Sequence, residues 1–92
     1  MTYELEFDPR AWREWQKPAR RSKTVQNKLQ QIVQNPRIES TGLSDLPDCY
    51  KIKLKASGYR LVYQVRDSVV VVYVIAIGKE KAAVYHQANK RL

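Results

Sequence analysis

Residues 50–55 read Tyr-Lys-Ile-Lys-Leu-Lys and residues 59–65 read Tyr-Arg-Leu-Val-Tyr-Gln-Val, with Ser57-Gly58 between them. Strict alternation of apolar and cationic residues has the period of a β-strand, so one face meets a core and the other meets water. Ser-Gly is a turn dipeptide whose glycine accepts positive φ. The two runs are therefore expected to form a hairpin. Tyr50, Ile52 and Leu54 share a core face with Leu61, Tyr63 and Val65 only if paired positions have an odd sum. A tight turn at Ser57-Gly58 meets that condition and sets Lys55 opposite Arg60 and Lys53 opposite Val62.

The polar face of this hairpin is cationic. From Cys49 to Arg66 the chain carries Lys51, Lys53, Lys55, Arg60 and Arg66 and no acid. Like charges directly opposed across strands are destabilising. Folding alone does not favour such a row, which points to an anion-binding role over a face that merely keeps the sheet soluble.

Composition narrows the anion. The formal charge is +8, from 17 Lys and Arg against 9 Asp and Glu on 92 residues, which form one small domain over 1–92. That surplus favours nucleic acid or an acidic protein as partner, and six tyrosines suit a surface that stacks bases. A lone cysteine, Cys49, excludes an internal disulfide and a cysteine-based metal site, fits a reducing cytosol, and reads as a small buried residue. No signal-peptide pattern is visible. The longest apolar run, Val69 to Ile77, falls far short of the roughly 20 residues a bilayer needs. The expected location is cytoplasmic, without membrane contact.

The remaining pattern predicts a sheet with helices packed on it. Tyr3, Leu5 and Phe7 alternate with Glu4 and Glu6 as a first strand. Asp8-Pro9 is an N-cap followed by proline at the first helical position, opening a helix that turns Ala11, Trp12 and Trp15 inward and stops near Lys17-Pro18. A second helix runs from about Arg20 to Asn35-Pro36, with Val25, Leu29, Ile32 and Val33 inward and Gln26, Gln30, Gln31 and Gln34 outward. Residues 37–48 read as irregular. After an Asp67-Ser68 turn, Val69 to Ile77 is apolar on both faces, as in a central strand, and Gly78 ends it. A short last helix spans about Glu80 to Lys90. The order is β-α-α-β-β-β-α, an α+β fold with a mainly antiparallel four-stranded sheet. Tyr59, Tyr63 and Tyr73 belong to the sheet and core.

Several chemistries are excluded. There is no glycine-rich phosphate loop, no metal-ligand spacing and no Ser-His-Asp grouping. His86 is the only histidine, which rules out a two-histidine ribonuclease; it is expected on the outer face of the last helix. RNA cleavage by 2′-hydroxyl attack stays open, since it needs a proton acceptor, a proton donor and positive charge for the phosphorane. Lys51 and Lys53, crowded by Lys55 and Arg60, are the candidate proton acceptors. Arg60 cannot usefully deprotonate and is suited to holding phosphate. Tyr85 can stack a base. Nothing visible orients a flexible RNA, so such a site depends on an external scaffold for alignment.

The blocks Pro47-Asp48-Cys49-Tyr50-Lys51-Ile52-Lys53-Leu54 and Ser57-Gly58-Tyr59-Arg60-Leu61-Val62-Tyr63-Gln64-Val65 closely resemble the RelE toxins of bacterial toxin–antitoxin modules. The resemblance extends over essentially the whole chain, through Phe7-Asp8 with Trp15, Asn35-Pro36-Arg37-Ile38-Glu39, and Val74-Ile75 leading to Gly78-Lys79. It implies a ribosome-dependent mRNA endonuclease that enters the A site and cuts by 2′-hydroxyl attack without metal or cofactor. The ribosome is then the missing scaffold. By the same resemblance Lys51 is the general base, Lys53 and Arg60 stabilise the phosphate, and Tyr85 stacks a base, with Lys55 beside them on the RNA face. A RelB-like antitoxin is the implied protein partner, wrapping the toxin and displacing its last helix.

Two positions depart from the family pattern. Where the family usually carries an arginine, two residues after Gly78, this chain has Glu80, and the segment to Tyr85 is one residue shorter. Lys79 and Lys81 are the two candidates for the proton donor and for further RNA contact. In addition, Leu43 is followed by Ser44 and Asp45 instead of arginine. Two other readings stand beside the nuclease: a ParE-like toxin that binds DNA gyrase, against which Lys51, Lys53 and Arg60 speak, and a basic RNA-binding relative with weakened catalysis, for which Glu80 speaks.

Overall fold

The computed structural model describes residues 2–16, 23–54 and 58–92. Its elements follow the expected order: β1 (Glu4–Phe7), α1 (Pro9–Trp15), α2 (Lys23–Gln34), β2 (Cys49–Leu54), β3 (Tyr59–Arg66), β4 (Val71–Gly78) and α3 (Lys81–Arg91). The strands lie in the order β1-β4-β3-β2. β2, β3 and β4 are antiparallel, while β1 runs parallel to β4 at the edge. The fold is thus α+β with a mostly antiparallel sheet, as expected. The helix stop at Lys17-Pro18, the helix start near Arg20 and the place of Lys55 fall outside the described residues.

Helices cover both faces of the sheet. On one face α1 and α2 contribute Ala11, Trp15, Leu29, Ile32 and Val33 against Tyr50, Ile52, Leu61, Tyr63, Val65, Val72, Val74 and Ile77. On the other, α3 and the segment before β2 set Val84, Ala88 and Leu46 against Cys49, Val62, Ile75 and Ala76. Burial pushes the Cys49 thiol up to about 11, in keeping with a small core residue. The three tyrosines assigned to the sheet are there: Tyr59 and Tyr63 are buried, the Tyr63 hydroxyl donates to the Pro36 carbonyl at 2.7 Å, and that of Tyr73 donates to Asp8.

Asp8 caps α1, accepting from the Arg10 amide at 2.9 Å with Pro9 in the first turn. Trp12 corrects the expected inward set: it is 44 % exposed. Ala11 and Trp15 are one turn apart and fill the buried stripe of a seven-residue helix; Trp12 lies about 100° round from Ala11. It packs against Phe7 in a T-shaped arrangement, with ring centroids 5.3 Å apart. On α2 the four glutamines are exposed, as their pattern required.

Three further differences have local causes. β4 starts at Val71, because Asp67–Val69 forms a 3-10 turn and Val70 takes a left-handed conformation at φ 54°; Val69 is 61 % exposed. The segment 37–48 is partly ordered, with a 3-10 turn at Glu39–Thr41, a bridge from Gly42 to Tyr50, and a Leu43 amide donating to Cys49. Arg37 fastens this segment by donating to Asp48, Tyr50 and Asp67. Finally, the hairpin register differs by one pleat. Lys53 faces Arg60 and Lys51 faces Val62, since Leu54 and Tyr59 form the last pair and four residues, not two, make the connection. Gly58 supplies the positive φ, at 76°. The odd parity, and with it the identity of the core face, is as expected.

Candidate active site

The α3-facing side of the sheet carries the cationic residues. Because Tyr50 and Ile52 are drawn into the α1/α2 core, Lys51 and Lys53 point to the opposite face. Lys53, Arg60 and Gly78 are register partners across β2, β3 and β4, and Lys51, Val62 and Ala76 form the next row. The rows end on β4 under α3. Gly78 permits that close approach: a Cβ there would lie 2.9 Å from Val84 Cγ2. Its backbone is not in a left-handed conformation, so contact with α3 sets the requirement for glycine.

Docked in this way, α3 brings its first two turns over the hairpin. Lys51, Ile52, Lys53, Arg60, Lys81 and Tyr85 line one cavity of about 120 Å³. Four cations and one aromatic ring thus converge, and no acid is among them. The Lys81 ammonium stands 6.0 Å from the Tyr85 ring centroid. Arg60 is half-buried, and its Nε is buried without a hydrogen-bond partner among the described residues. A buried guanidinium N–H left unpaired in the protein is costly unless a ligand oxygen meets it. Chemically the cavity can hold a phosphate by two or three charge-assisted hydrogen bonds and offer amines on either side of it.

The candidates from sequence separate here. Lys51, Lys53, Arg60, Lys81 and Tyr85 come together. Lys79 does not: it follows Gly78 onto the other face of the sheet, where its ammonium lies 5.1 Å from the Tyr59 ring centroid. Lys55 is outside the described residues. Glu80 is the N-cap residue of α3, exposed, and makes no capping hydrogen bond. Sequence reasoning missed a second cavity, of about 460 Å³, that shares Tyr85 and is lined by Leu43, Ser44, Asp45, Leu46, His86 and Asn89. No local motif joins a loop near residue 44 to a helix near residue 86.

A family model described as the ParE toxin of the type II toxin–antitoxin system parDE matches residues 5–84. That match sets the class, the toxins of type II toxin–antitoxin systems. The mRNA interferase toxin RelE of Escherichia coli strain K12 is 51 % identical over 94 residues, spanning 100 % of this chain and 99 % of the relative. The free-state structure of an E. coli RelE variant superposes with a TM-score of 0.88 at 50 % identity, covering 100 % and 99 % of the two chains. RelE in the intact E. coli RelBE toxin–antitoxin complex gives 0.78 at 51 % identity, covering 86 % of this chain and 98 % of that one. The chain belongs to the RelE family of the RelE/ParE superfamily.

Proposed function

We propose that this protein is a metal-independent mRNA interferase that cuts mRNA in the ribosomal A site, halts translation, and is neutralised by a RelB-like antitoxin. The observation that carries the reading is the convergence of Lys51, Lys53, Arg60, Lys81 and Tyr85 on one cavity, in a chain 51 % identical to a protein named mRNA interferase toxin RelE. The antitoxin partner is supported by the RelBE complex, whose toxin chain shares the fold. Residues 1–92 act as one toxin domain. No helix among the described residues is long and apolar enough to cross a membrane.

In the proposed reaction Lys51 takes the 2′-hydroxyl proton as the 2′-oxygen attacks the adjacent phosphorus. The P–O5′ bond breaks, leaving a 2′,3′-cyclic phosphate, and the departing 5′-oxygen receives a proton from Lys81. Arg60 and Lys53 hold the non-bridging oxygens as negative charge builds, and Tyr85 stacks a base to fix the attack line. What supports Lys81 over Lys79 as donor is its position in the cavity, on the opposite face from Lys79. Among the described residues no group of three His, Cys, Asp or Glu could hold a metal ion.

Primer extension on mRNA in programmed ribosomes tests the reading. Cuts within the A-site codon are expected with the wild type and absent with Lys51→Ala plus Arg60→Ala; naked RNA is cut little. Equal cutting of naked RNA would remove the ribosome from the proposal. Trapped gyrase complexes without RNA cuts would favour the ParE-like reading instead.

A further inference from the structure

Tyr85 lines two cavities of opposite character. On the hairpin side stand four cations and no acid. On the other side, in a chain of net charge +8, the lining of the 460 Å³ cavity contains no lysine or arginine and one carboxylate, Asp45. We propose that this second cavity is a base-reading subsite for the mRNA nucleotide next to the one stacked on Tyr85, selecting bases with an exocyclic amino group over uracil through Asp45. The proposal rests on the nuclease reading above and adds to it the source of codon preference.

Charge and shape divide the strand between the two cavities. A phosphate is drawn to Lys51, Lys53 and Arg60 and repelled by Asp45, so a backbone held on the hairpin side directs its neighbouring base, not another phosphate, toward the loop. Leu46 is buried, and Leu43 and Tyr85 are half-buried; together they offer apolar walls to the face of a base. Ser44, Asp45, His86 and Asn89 are exposed and lie within reach of its edge.

Asp45 makes no hydrogen bond or ion pair with the described residues, so its acceptors are available. An ionised carboxylate only accepts. Cytosine, adenine and guanine each present an amino group to it. Uracil offers a single N–H flanked by two carbonyl oxygens, which face the carboxylate unfavourably.

Primer extension on programmed ribosomes, with each nucleotide flanking the cut varied through all four bases, tests the subsite in wild type and Asp45→Asn. At one flanking position the wild type should cut uracil about tenfold more slowly than an amino-bearing base, the scale of one good base-edge contact. In Asp45→Asn, whose carboxamide both donates and accepts, that ratio should shrink to below about threefold. A thermal melt confirms that the exposed substitution leaves the fold intact. Equal cutting of uracil by the wild type, or an unchanged ratio in Asp45→Asn, overturns the subsite and leaves the nuclease reading standing. No cutting of any codon overturns both.

Discussion

Arg91 Nη1 donates to the Ile75 carbonyl at 2.7 Å and to Glu14 Oε1 at 3.0 Å. Ile75 is the extra residue of a β-bulge, since Val62 pairs with Ala76 while Tyr63 pairs with Val74. One buried guanidinium thus fastens the C-terminal turn of α3 to the bulge and to α1. The Arg91 side chain is 6 % exposed, and Glu14 is 28 % exposed. Arg91→Ala should cost about 2 kcal/mol in urea unfolding, the scale of charge-assisted hydrogen bonds. Amide exchange in α3 should rise more than in β3. Arg91→Lys should recover only part of the loss, because the lysine ammonium ends one bond short of Nη1, the single atom that makes both hydrogen bonds.

The approach of Gly78 to Val84 makes a second, sharper test of how α3 holds the site. Gly78→Ala puts a methyl 2.9 Å from Val84 Cγ2, and valine in a helix has little rotamer freedom to yield. Overpacking of this kind costs about 1–3 kcal/mol. Since Lys81 and Tyr85 ride on the same helix, cleavage should fall about tenfold or more alongside stability. Adding Val84→Ala to Gly78→Ala should restore part of the activity, a positive coupling read from a double-mutant cycle.

The Asp8 carboxyl is held below the usual carboxylate range, first by the Arg10 side-chain hydrogen bonds, at 3.0 and 3.1 Å, with the Arg10 amide and the Tyr73 hydroxyl adding to them. A folded value below the unfolded one means its contribution is present above the unfolded value, near about 3.9, and is lost as pH falls through the folded value. Asp8→Ala should cost about 1 kcal/mol near neutral pH, as for other N-caps. The gap between wild type and variant in urea midpoint should narrow steadily below about pH 4. A gap independent of pH would place the effect in packing instead.

Much of this architecture was legible in the sequence because period and punctuation are local. Asp8-Pro9 announced α1, and the alternation from Tyr50 to Leu54 announced which face of β2 is core. What was not legible depends on distant partners. Trp12 looks as apolar as Trp15, and only the width of the buried stripe separates them. The register of the hairpin turned on whether two or four residues connect its strands, which composition does not decide when Gly58 serves either. The bulge at Ile75 is invisible in a run as uniformly apolar as Val71 to Ile77. Lys79 and Lys81 are two residues apart and look equivalent, yet Lys79 still obeys strand alternation while Lys81 begins a helix. For the cavity at Asp45, nothing in the chain links its two walls.

Lys53 and Arg60 face one another across β2 and β3, an arrangement folding disfavours by about 0.2–1 kcal/mol relative to neutral pairs. If this pair exists to grip a phosphate, relieving it should move stability and activity in opposite directions. Arg60→Met keeps the aliphatic stem and much of the packing while removing the charge and the unpaired buried Nε. It should raise the urea midpoint slightly, by about 0.5 kcal/mol in free energy. Ribosome-dependent cleavage should fall at least about 100-fold, the loss typical of one donor to a developing oxyanion. Lys53→Gln should behave alike but more weakly in stability, because Lys53 is exposed where Arg60 is half-buried. A variant that lost activity and stability together would mark the pair as structural. One that gained stability with cleavage intact would show that the charges do not touch the scissile phosphate.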